Sequence, residues 1–248
     1  MKLSIIISCY KESKKLPNTL PKIDEYLKKQ NYDYEILLVN DGSPDNTFEV
    51  AKSFEPKIKN LKVIGHKANP EYDKNMGKGF GVRFGMLKAQ GEYRIFMDAD
   101  FSTPIKEVEK MWPEFEKGFD IIIGSRDAKG AILDPPQPWH RVILGNIFNI
   151  IVQVILGLWG VWDTQCGFKG FTKKAAQGIF PKCKINRWAF DPEALIIGKK
   201  MGYKIKEIPV YWKNDTRRAV KLFSPNSRVT MLKELLQIKW NLINKKYS

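Results

Sequence analysis

The sequence predicts an α/β fold, in which a mostly parallel β-sheet is covered by helices. Short apolar runs rich in β-branched residues recur through the N-terminal half, and amphipathic stretches with helical spacing separate them. Runs without polar alternation are typical of strands that helices cover on both faces of the sheet. Because such sheets bind ligands beyond the carboxyl ends of their strands, the polar residues that follow each run form the candidate site.

The N-terminal half alternates predicted strands with predicted helices. The strands are 3–9, 34–40, 61–66, 93–98 and 120–125, and the helices lie near 17–30, 44–54, 77–90 and 104–117. After residue 125 the chain has a loop-like stretch (127–141), an uncharged stretch of 21 residues (142–162), helices near 172–180 and 191–202, a strand at 204–212, a basic loop and a last helix at 228–243. We predict one domain over 1–212, followed by a basic loop and amphipathic helix over 213–248.

The charge of the chain is basic and unevenly distributed. There are 42 Lys and Arg against 27 Asp and Glu, for a net charge of +15. Residues 199–248 hold 13 basic and 3 acidic residues and so carry +10 of that excess. Such a field suits a polyanion: nucleic acid, anionic lipid headgroups or phosphate groups. The sequence has no RNA-binding aromatic strand motif, zinc-ligand cluster or helix-turn-helix pattern, so we expect no nucleic-acid partner.

The cysteines and histidines are too few and too scattered for a zinc site or a disulfide framework. Cys9, Cys166 and Cys183 are widely spaced, and His66 and His140 are the two histidines. The apolar start of the chain lacks a small-residue cleavage site, which favours a core strand over a signal peptide. We expect a reducing, cytoplasmic setting.

The first two strands end in polar residues that suit nucleotide binding. Tyr10 and Glu12 follow the first strand, and Asp41 follows the second. A carboxylate at this edge of the sheet can accept hydrogen bonds from a ribose or from a base N–H. The alternative interpretation is that Asp41 and its neighbours cap the following helix.

The fourth strand runs into two carboxylates, Asp98 and Asp100, separated by Ala99. Alternation along a strand would place both side chains on one side. Carboxylate oxygens are ligands that Mg²⁺ or Mn²⁺ prefers, together with diphosphate oxygens. Alternatively, both residues are solvated carboxylates in a turn.

A glycine-rich turn, Met76-Gly77-Lys78-Gly79, opens the helix predicted at 77–90. Its glycines do not follow the dinucleotide pattern, so NAD binding is not supported. Lys78 at a helix N-terminus could neutralise a diphosphate. A purely structural turn is the alternative.

These motifs, together with three later ones, carry a family resemblance. In chain order they are SCYKE (8–12), VNDGSPDNT (39–47), NMGKG (75–79), DAD (98–100), GSR (124–126), DTQCGFKGF (163–171) and RWAFDPEAL (187–195). The series resembles the family 2 glycosyltransferases over about residues 2–240. That resemblance implies a GT-A fold, with a Rossmann-like mixed, mostly parallel sheet covered by helices. The last two motifs resemble more narrowly the dolichyl-phosphate β-glucosyltransferases and their prokaryotic polyprenyl-phosphate relatives.

The resemblance implies an inverting, metal-aided transfer of a sugar from a UDP- or GDP-linked donor to a polyprenyl phosphate. Matched position by position, the nucleotide sugar would contact Cys9, Tyr10, Glu12, Asp41, Lys78, Asp98 and Ala99. Asp98 and Asp100 would hold Mg²⁺ or Mn²⁺, and Asp191 and Arg126 would act at the reacting centre. Phosphate groups of the acceptor or donor would contact Arg126, Arg141, Gln165, Arg217 and Lys221. Two positions depart from the pattern: Asn40 replaces an aspartate, and the loop after Trp212 lacks a Gly-Ser-Lys element.

Two classes of acceptor fit this chemistry. A phosphate monoester is largely dianionic at neutral pH, because its second pKa is about 6, and it needs cations rather than a strong base. A sugar hydroxyl in a polysaccharide or glycolipid would need a base, and Asp191 is the candidate. Alternatively, Asp191 only caps a helix that begins at Pro192.

Two segments predict peripheral attachment to the cytoplasmic face of a membrane. Residues 142–162 are uncharged but contain amides and glycines, so we prefer a helix at the bilayer interface over a buried core helix or a membrane span. The last helix combines apolar and basic residues: Leu232, Leu235, Leu236 and Ile243 with Lys233, Lys239, Lys245 and Lys246. This composition suits an anionic lipid surface, and the alternative is a helix packed on the domain with a solvated basic face.

Overall fold

The computed structural model describes residues 1–65, 74–214 and 225–247, and it confirms the predicted fold class. The strands are β1 (Leu3–Cys9), β2 (Tyr34–Asn40), β3 (Leu61–Gly65), β4 (Tyr93–Asp98), β5 (Ile121–Ser125), β6 (Ile132–Asp134), β7 (Phe168–Thr172), β8 (Ile205–Pro209) and β9 (Tyr211–Lys213). The helices are α1 (Leu16–Leu27), α2 (Thr47–Lys52), α3 (Lys78–Lys88), a 3₁₀ helix (Ile105–Lys110), α4 (Trp112–Glu116), α5 (Trp139–Leu156), α6 (Lys173–Ile179), α7 (Phe190–Lys200) and α8 (Pro225–Ile243).

The main sheet brings the carboxyl ends of β1, β2 and β4 to one edge. Its strand order is β3-β2-β1-β4-β7-β5-β8, and β7 runs antiparallel to both of its neighbours. In the parallel register Ser8 of β1 pairs with Asp98 of β4, and Cys9 pairs with Asn40 of β2. The motifs that follow these three strands therefore meet at one place. A small second sheet pairs β6 with β9.

Both faces of the main sheet are buried, as the apolar strands predict. Ile6 of β1 belongs to a hydrophobic cluster with residues of α3, α6 and α7, whereas Ile5 and Ile7 belong to a cluster with residues of α1 and the 3₁₀ helix. Successive side chains of a strand point to opposite faces, so each face contributes its own half of the core.

Two strands differ from the prediction. The segment 204–212 was predicted as one strand, but it divides at Val210 into β8 of the main sheet and β9 of the small one. The interior strand β7, which lies between β4 and β5, was not predicted at all. It reads FKGFT, and its lysine and glycine hide the apolar pattern. Gly170 allows close packing here, because a Cβ would lie 2.8 Å from the Met111 sulfur and 3.0 Å from the Phe115 ring.

The uncharged segment forms a helix that is mostly exposed. The helix α5 begins at Trp139, three residues before the predicted start, and ends before Gly157, which adopts a positive φ of 73°. Its buried residues are Asn149, Val152, Gln153 and Leu156. A buried core helix, one of the alternatives for this segment, is therefore wrong. Within the described residues α5 is the one helix long and apolar enough to cross a membrane.

Candidate active site

Asp98 forms an ion pair at the carboxyl edge of the sheet. Its Oδ1 lies 2.6 Å from Nζ of Lys78, the first residue of α3, and the two side chains are 34% and 30% exposed. The backbone N–H of Asp98 donates to the Gly167 carbonyl, and Oδ1 of Asp100 accepts a hydrogen bond from the Ser102 N–H. Asp98 thus joins β4 to the glycine-rich turn, so it is more than a solvated turn carboxylate.

Asp191 forms a second, buried ion pair beside the first. Its Oδ1 lies 2.5 Å from Nζ of Lys169, which also donates to the Cys166 carbonyl. Asp191 is 4% exposed and Lys169 is 1% exposed. Burial raises the pKa of Asp191, although the ammonium groups of Lys169 and Lys78 oppose the rise.

The helix-cap alternative for Asp191 is wrong. The helix α7 begins at Phe190, and its N-cap residue is Ala189. Asp191 lies in the first turn and its carboxylate binds Lys169 of β7. Sequence reasoning missed Lys169 because the strand that holds it was not predicted, and the available signal was its position within the DTQCGFKGF motif.

The two ion pairs are close enough to act on each other. Burial alone would lower the pKa of Lys78, but the carboxylates of Asp98 and Asp191 outweigh it and raise that pKa. Asp98, Asp191, Lys78 and Lys169 therefore form a compact charge cluster, which we call the four-charge cluster. Oppositely charged groups at this edge can hold both a cation and a diphosphate.

The carboxylate oxygens of Asp98 and Asp100 suit a divalent cation as ligands. Asp98 already attracts an ammonium group, and its carboxylate packs directly over Gly167, where a Cβ would lie 2.1 Å from Oδ2. Among the described residues no group of three or more His, Cys, Asp or Glu could hold a metal by itself. Two carboxylates suit a metal that completes its coordination with diphosphate oxygens and water.

Asp41 holds the glycine-rich turn in place. It is buried, and its carboxylate accepts hydrogen bonds from the Asn75 side chain at 2.9 Å, the Met76 N–H at 3.0 Å and the Gly77 N–H at 2.7 Å. Burial raises the pKa of Asp41 against the effect of these hydrogen bonds. The cap at the start of α2 comes from Asp45, which accepts a hydrogen bond from the Thr47 N–H. Contact between Asp41 and a nucleotide stays a prediction. In the structure the Asp41 carboxylate is hydrogen-bonded to residues 75–77 of the glycine-rich turn.

The other residues predicted to contact the nucleotide differ in exposure. Tyr10 is 40% exposed and lies at the edge of the sheet. Cys9 and Ala99 are buried, and burial raises the pKa of the Cys9 thiol. Glu12 pairs with Lys15, and its backbone N–H donates to the Thr47 hydroxyl. Any contact of Cys9 or Ala99 with a nucleotide would therefore use backbone atoms.

Arg126 links two of the motifs. Its Nε and Nη2 donate to the two carboxylate oxygens of Asp163 at 2.8 Å each, and its backbone N–H donates to the same carboxylate. Asp163 is fully buried, and Glu207 accepts hydrogen bonds from the Trp162 and Asp163 N–H groups. Arg126 thus fixes the GSR turn to the DTQCGFKGF motif, and its phosphate contact stays a prediction.

Four other residues were predicted to bind phosphate, and the structure describes two of them, Arg141 and Gln165. Arg141 Nη1 lies 3.4 Å from the Asn214 side-chain oxygen. Gln165 lies in the segment that leads to β7, and its buried Nε2 has no hydrogen-bond partner among the described residues. Arg217 and Lys221 lie outside the described residues.

A basic cavity that the sequence did not indicate lies next to the turn that Asp41 holds. Its volume is about 430 Å³, and its lining includes Lys74, Lys184, Arg187 and Glu234. The Arg187 charge acts on the Asp41 carboxylate, where it lowers the pKa. The cavity therefore adjoins the candidate donor site.

The sequence matches a protein-family model over most of its length. The model described as glycosyl transferase family 2 matches residues 4–180. The chain belongs to glycosyl transferase family 2. The resemblance read from the motifs is thereby confirmed, and the protein is a glycosyltransferase.

Curated relatives agree with this family assignment, and a solved structure has a similar fold. A dolichyl-phosphate β-glucosyltransferase of Trichomonas vaginalis is 33% identical over 246 residues, which cover 95% of this chain and 72% of the relative. The dolichyl-phosphate β-glucosyltransferase of Homo sapiens is 34% identical, over 85% of this chain and 67% of the relative. Glucosyl-3-phosphoglycerate synthase from Mycobacterium tuberculosis, solved with Mn²⁺, UDP and its glucosylated product, has a TM-score of 0.63 at 14% identity, over 94% of this chain and 79% of that one. The last likeness supports the GT-A fold alone.

Proposed function

We propose that this glycosyltransferase transfers a hexose, with inversion, from a UDP- or GDP-linked sugar to the phosphate of a polyprenol at the cytoplasmic face of a membrane. Its curated relatives named above act, by their names, on dolichyl phosphate. The observation that carries the proposal is that two helices with exposed apolar faces are hydrogen-bonded to the segments around the four-charge cluster.

The helix α8 has two apolar faces. Leu235 and Ile238 are fully buried in the hydrophobic core. A second set of apolar residues is exposed at helical spacing: Val229, Leu232, Leu236, Trp240 and Ile243. A helix packed on a soluble domain needs one apolar face, so the second face calls for an apolar partner. We call this second face the α8 stripe.

A bilayer with anionic lipids is the partner that fits the α8 stripe. Lys233 and Lys239 flank the stripe on its two sides, and Lys245 and Lys246 follow the end of the helix. An exposed apolar stripe between lysines is typical of helices that lie in the plane of a membrane interface. Each lysine near an anionic leaflet contributes about 1 kcal/mol of attraction.

The helix α5 presents a similar exposed stripe. Its exposed apolar residues at helical spacing are Trp139, Ile143, Ile147, Ile150 and Val154. Trp159 and Trp162 are exposed just beyond the helix. Tryptophan is favoured at the headgroup level of bilayers. The helix packs against α8, so two neighbouring helices would contact the membrane.

Both helices are attached to the candidate site. Asn149 of α5 accepts a hydrogen bond from the hydroxyl of Thr164, which follows Asp163 in the DTQCGFKGF motif. Glu234 of α8 accepts hydrogen bonds from the N–H groups of Trp188 and Ala189, just before Asp191. Attachment to a bilayer through these helices would hold the reacting centre close to the headgroups, where the phosphate of a membrane-embedded polyprenol lies.

The charged residues suit transfer between two phosphate-bearing substrates. A divalent metal at Asp98 and Asp100 would neutralise charge on the leaving nucleotide diphosphate. Lys78, at the N-terminus of α3, would bind an anionic donor. A dianionic acceptor phosphate can attack the sugar from the opposite face without a strong base, provided that cations hold it in place.

A sugar hydroxyl is the second class of acceptor, and it would use Asp191 as the base. Burial raises the pKa of Asp191, which suits a base. However, Asp191 is 4% exposed and its Oδ1 binds the Lys169 ammonium group. A base has to reach the proton that it removes, so this geometry favours the phosphate acceptor.

The proposal is tested by a transfer assay with a panel of donors and acceptors. The donors are UDP-glucose, UDP-N-acetylglucosamine and GDP-mannose, and the acceptors are a polyprenyl phosphate in liposomes, the same compound with a short chain in detergent, and simple sugars. We expect transfer to both phosphates, with the liposome form preferred. Efficient transfer to sugar hydroxyls, without transfer to either phosphate, would establish the second class of acceptor instead.

A further inference from the structure

The four-charge cluster is electrically balanced without any metal. Asp98 is paired with Lys78 and Asp191 with Lys169, at 2.6 and 2.5 Å. The Lys169 ammonium group is fixed by the buried Asp191 and by the Cys166 carbonyl. Lys78, by contrast, keeps a side chain that is 30% exposed and begins a helix at the mouth of the site. Lys78 is therefore the cation of this cluster that can move.

We propose that Lys78 competes with the divalent metal for Asp98, so that the metal binds well only together with the nucleotide diphosphate that draws Lys78 away. This inference rests on the proposed function, because it concerns how the metal and donor enter the same site. It assigns to Lys78 a role in the order of binding, beyond simple contact with the donor.

The competition follows from charge and space. Oδ1 of Asp98 binds the Lys78 ammonium group at 2.6 Å, and a dication on the same carboxylate would lie within a few ångströms of that positive charge. Like charges at such distances repel even with the screening typical of proteins. A diphosphate resolves the conflict, because it offers oxygen ligands to the metal and a new anionic partner to the lysine.

The test is Mn²⁺ binding measured by electron paramagnetic resonance, with and without UDP or GDP. The proteins are wild type, Lys78→Met, Lys78→Arg and Lys74→Met. Methionine resembles the aliphatic part of lysine but carries no charge, and arginine keeps the charge. Lys74 is an exposed lysine near the same turn. Circular dichroism and melting temperature check that each variant is folded.

We expect Lys78→Met to bind Mn²⁺ about tenfold more tightly than wild type when no nucleotide is present, because the competing charge is gone. Lys78→Arg and Lys74→Met should stay close to wild type. The same Lys78→Met variant should bind UDP or GDP more weakly in the presence of Mn²⁺. A merely structural role would weaken both ligands together and would not give this opposite pattern.

Two results would overturn the inference. One is equal or weaker nucleotide-free Mn²⁺ binding in Lys78→Met, and the other is a gain that persists when Asp98→Asn is added to it. Failure of the proposed function would look different. The transfer assay would then give sugar-hydroxyl products without any polyprenyl phosphate product, or wild type would bind no Mn²⁺ even with UDP or GDP present, whatever the effect of Lys78→Met on nucleotide-free binding.

Discussion

Glu234 of α8 binds the backbone of Ala189, the N-cap residue of α7, with its Oε2 2.9 Å from the Ala189 nitrogen. The same oxygen accepts a hydrogen bond from the Trp188 N–H at 3.0 Å. A carboxylate at a helix N-terminus satisfies otherwise unpaired N–H groups and interacts favourably with the helix dipole. The C-terminal helix thereby supplies the cap that α7 does not have in its own sequence, two residues before Asp191.

Glu234→Ala should slow transfer more than it destabilises the fold. The loss of this cap should lower the free energy of unfolding by about 1–2 kcal/mol. It should also lower kcat about tenfold or more. Loss of the cap would shift the first turn of α7, which holds Asp191, and a small misplacement near the reacting centre has a large effect on rate. Urea denaturation and steady-state kinetics measure the two effects. Gln237→Ala, on the same helix and exposed, is the control, and an equal loss of kcat there would contradict a specific role for Glu234.

Asp98→Asn and Asp100→Asn should each nearly abolish transfer while the protein stays folded. Both residues are half-buried at the edge of the sheet, and neither belongs to the hydrophobic clusters. Mn²⁺ with UDP should raise the melting temperature of wild type, because a ligand that binds only the folded state stabilises it, and should raise it less in the variants. Transfer that survives in both variants, or in excess EDTA, would exclude the metal assignment.

Asp41→Ala should raise KM for the nucleotide sugar with little change in kcat. The substitution releases the turn at 75–77, whose position would matter equally in the ground state and in the transition state. We expect a rise in KM of about tenfold, since about 1.4 kcal/mol corresponds to a factor of ten in binding. Asp45→Ala is the matched control, because it removes the cap of α2 and should lower stability without changing KM. A fall in kcat at constant KM would instead place Asp41 at the reacting centre.

The Arg126–Asp163 pair should make stability depend on acid pH. Burial alone would raise the pKa of Asp163, but the charge and hydrogen bonds of Arg126 outweigh it and hold that pKa below its ordinary value. The pair therefore contributes stability above the unfolded pKa, near 4, and that stability is lost as pH falls through the lower folded pKa. Urea denaturation from pH 7 to pH 3 measures the loss.

Variants of the same pair separate its two partners. Asp163→Asn should destabilise the protein by about 3 kcal/mol at pH 7, since it leaves the half-buried Arg126 guanidinium without its counter-charge. Arg126→Met with Asp163→Asn should recover part of that loss and remove the acid-dependent component. An unchanged pH profile in the double variant would assign the acid sensitivity to other carboxylates.

The α8 stripe should determine binding to anionic liposomes. Leu236→Glu adds a negative charge within the stripe, where Leu236 is 54% exposed, and Gln237→Glu adds the same charge beside it. We expect Leu236→Glu to reduce co-sedimentation several-fold more than Gln237→Glu, because it also removes apolar contact with the bilayer. Replacing Lys233, Lys239, Lys245 and Lys246 with Glu should weaken binding as well, and most at low salt. If the two single variants reduced liposome binding equally, the α8 stripe would make no apolar contact with the bilayer, and only electrostatic attraction would remain.

The sequence by itself determined the α/β fold, most element positions and the identity of the carboxylates at the strand ends. These features are local, because the apolar period of a strand or helix and the residue that follows a strand can be read within a short stretch. The family resemblance was carried in the same way by short motifs in a fixed order.

Only the tertiary structure decided how the charged residues are paired. Lys169 and Asp191 are 22 residues apart, and no local pattern indicates that they form an ion pair. Lys169 lies in β7, whose lysine and glycine obscure the apolar pattern of a strand. Asp41 looked like an open ligand for a nucleotide, but its acceptor atoms bind a turn more than thirty residues further along the chain. In α8, helical spacing grouped Leu235 with Leu236, whereas packing buries the first and exposes the second. Such pairings depend on which surfaces meet when the chain folds, and that information is distributed over the whole sequence.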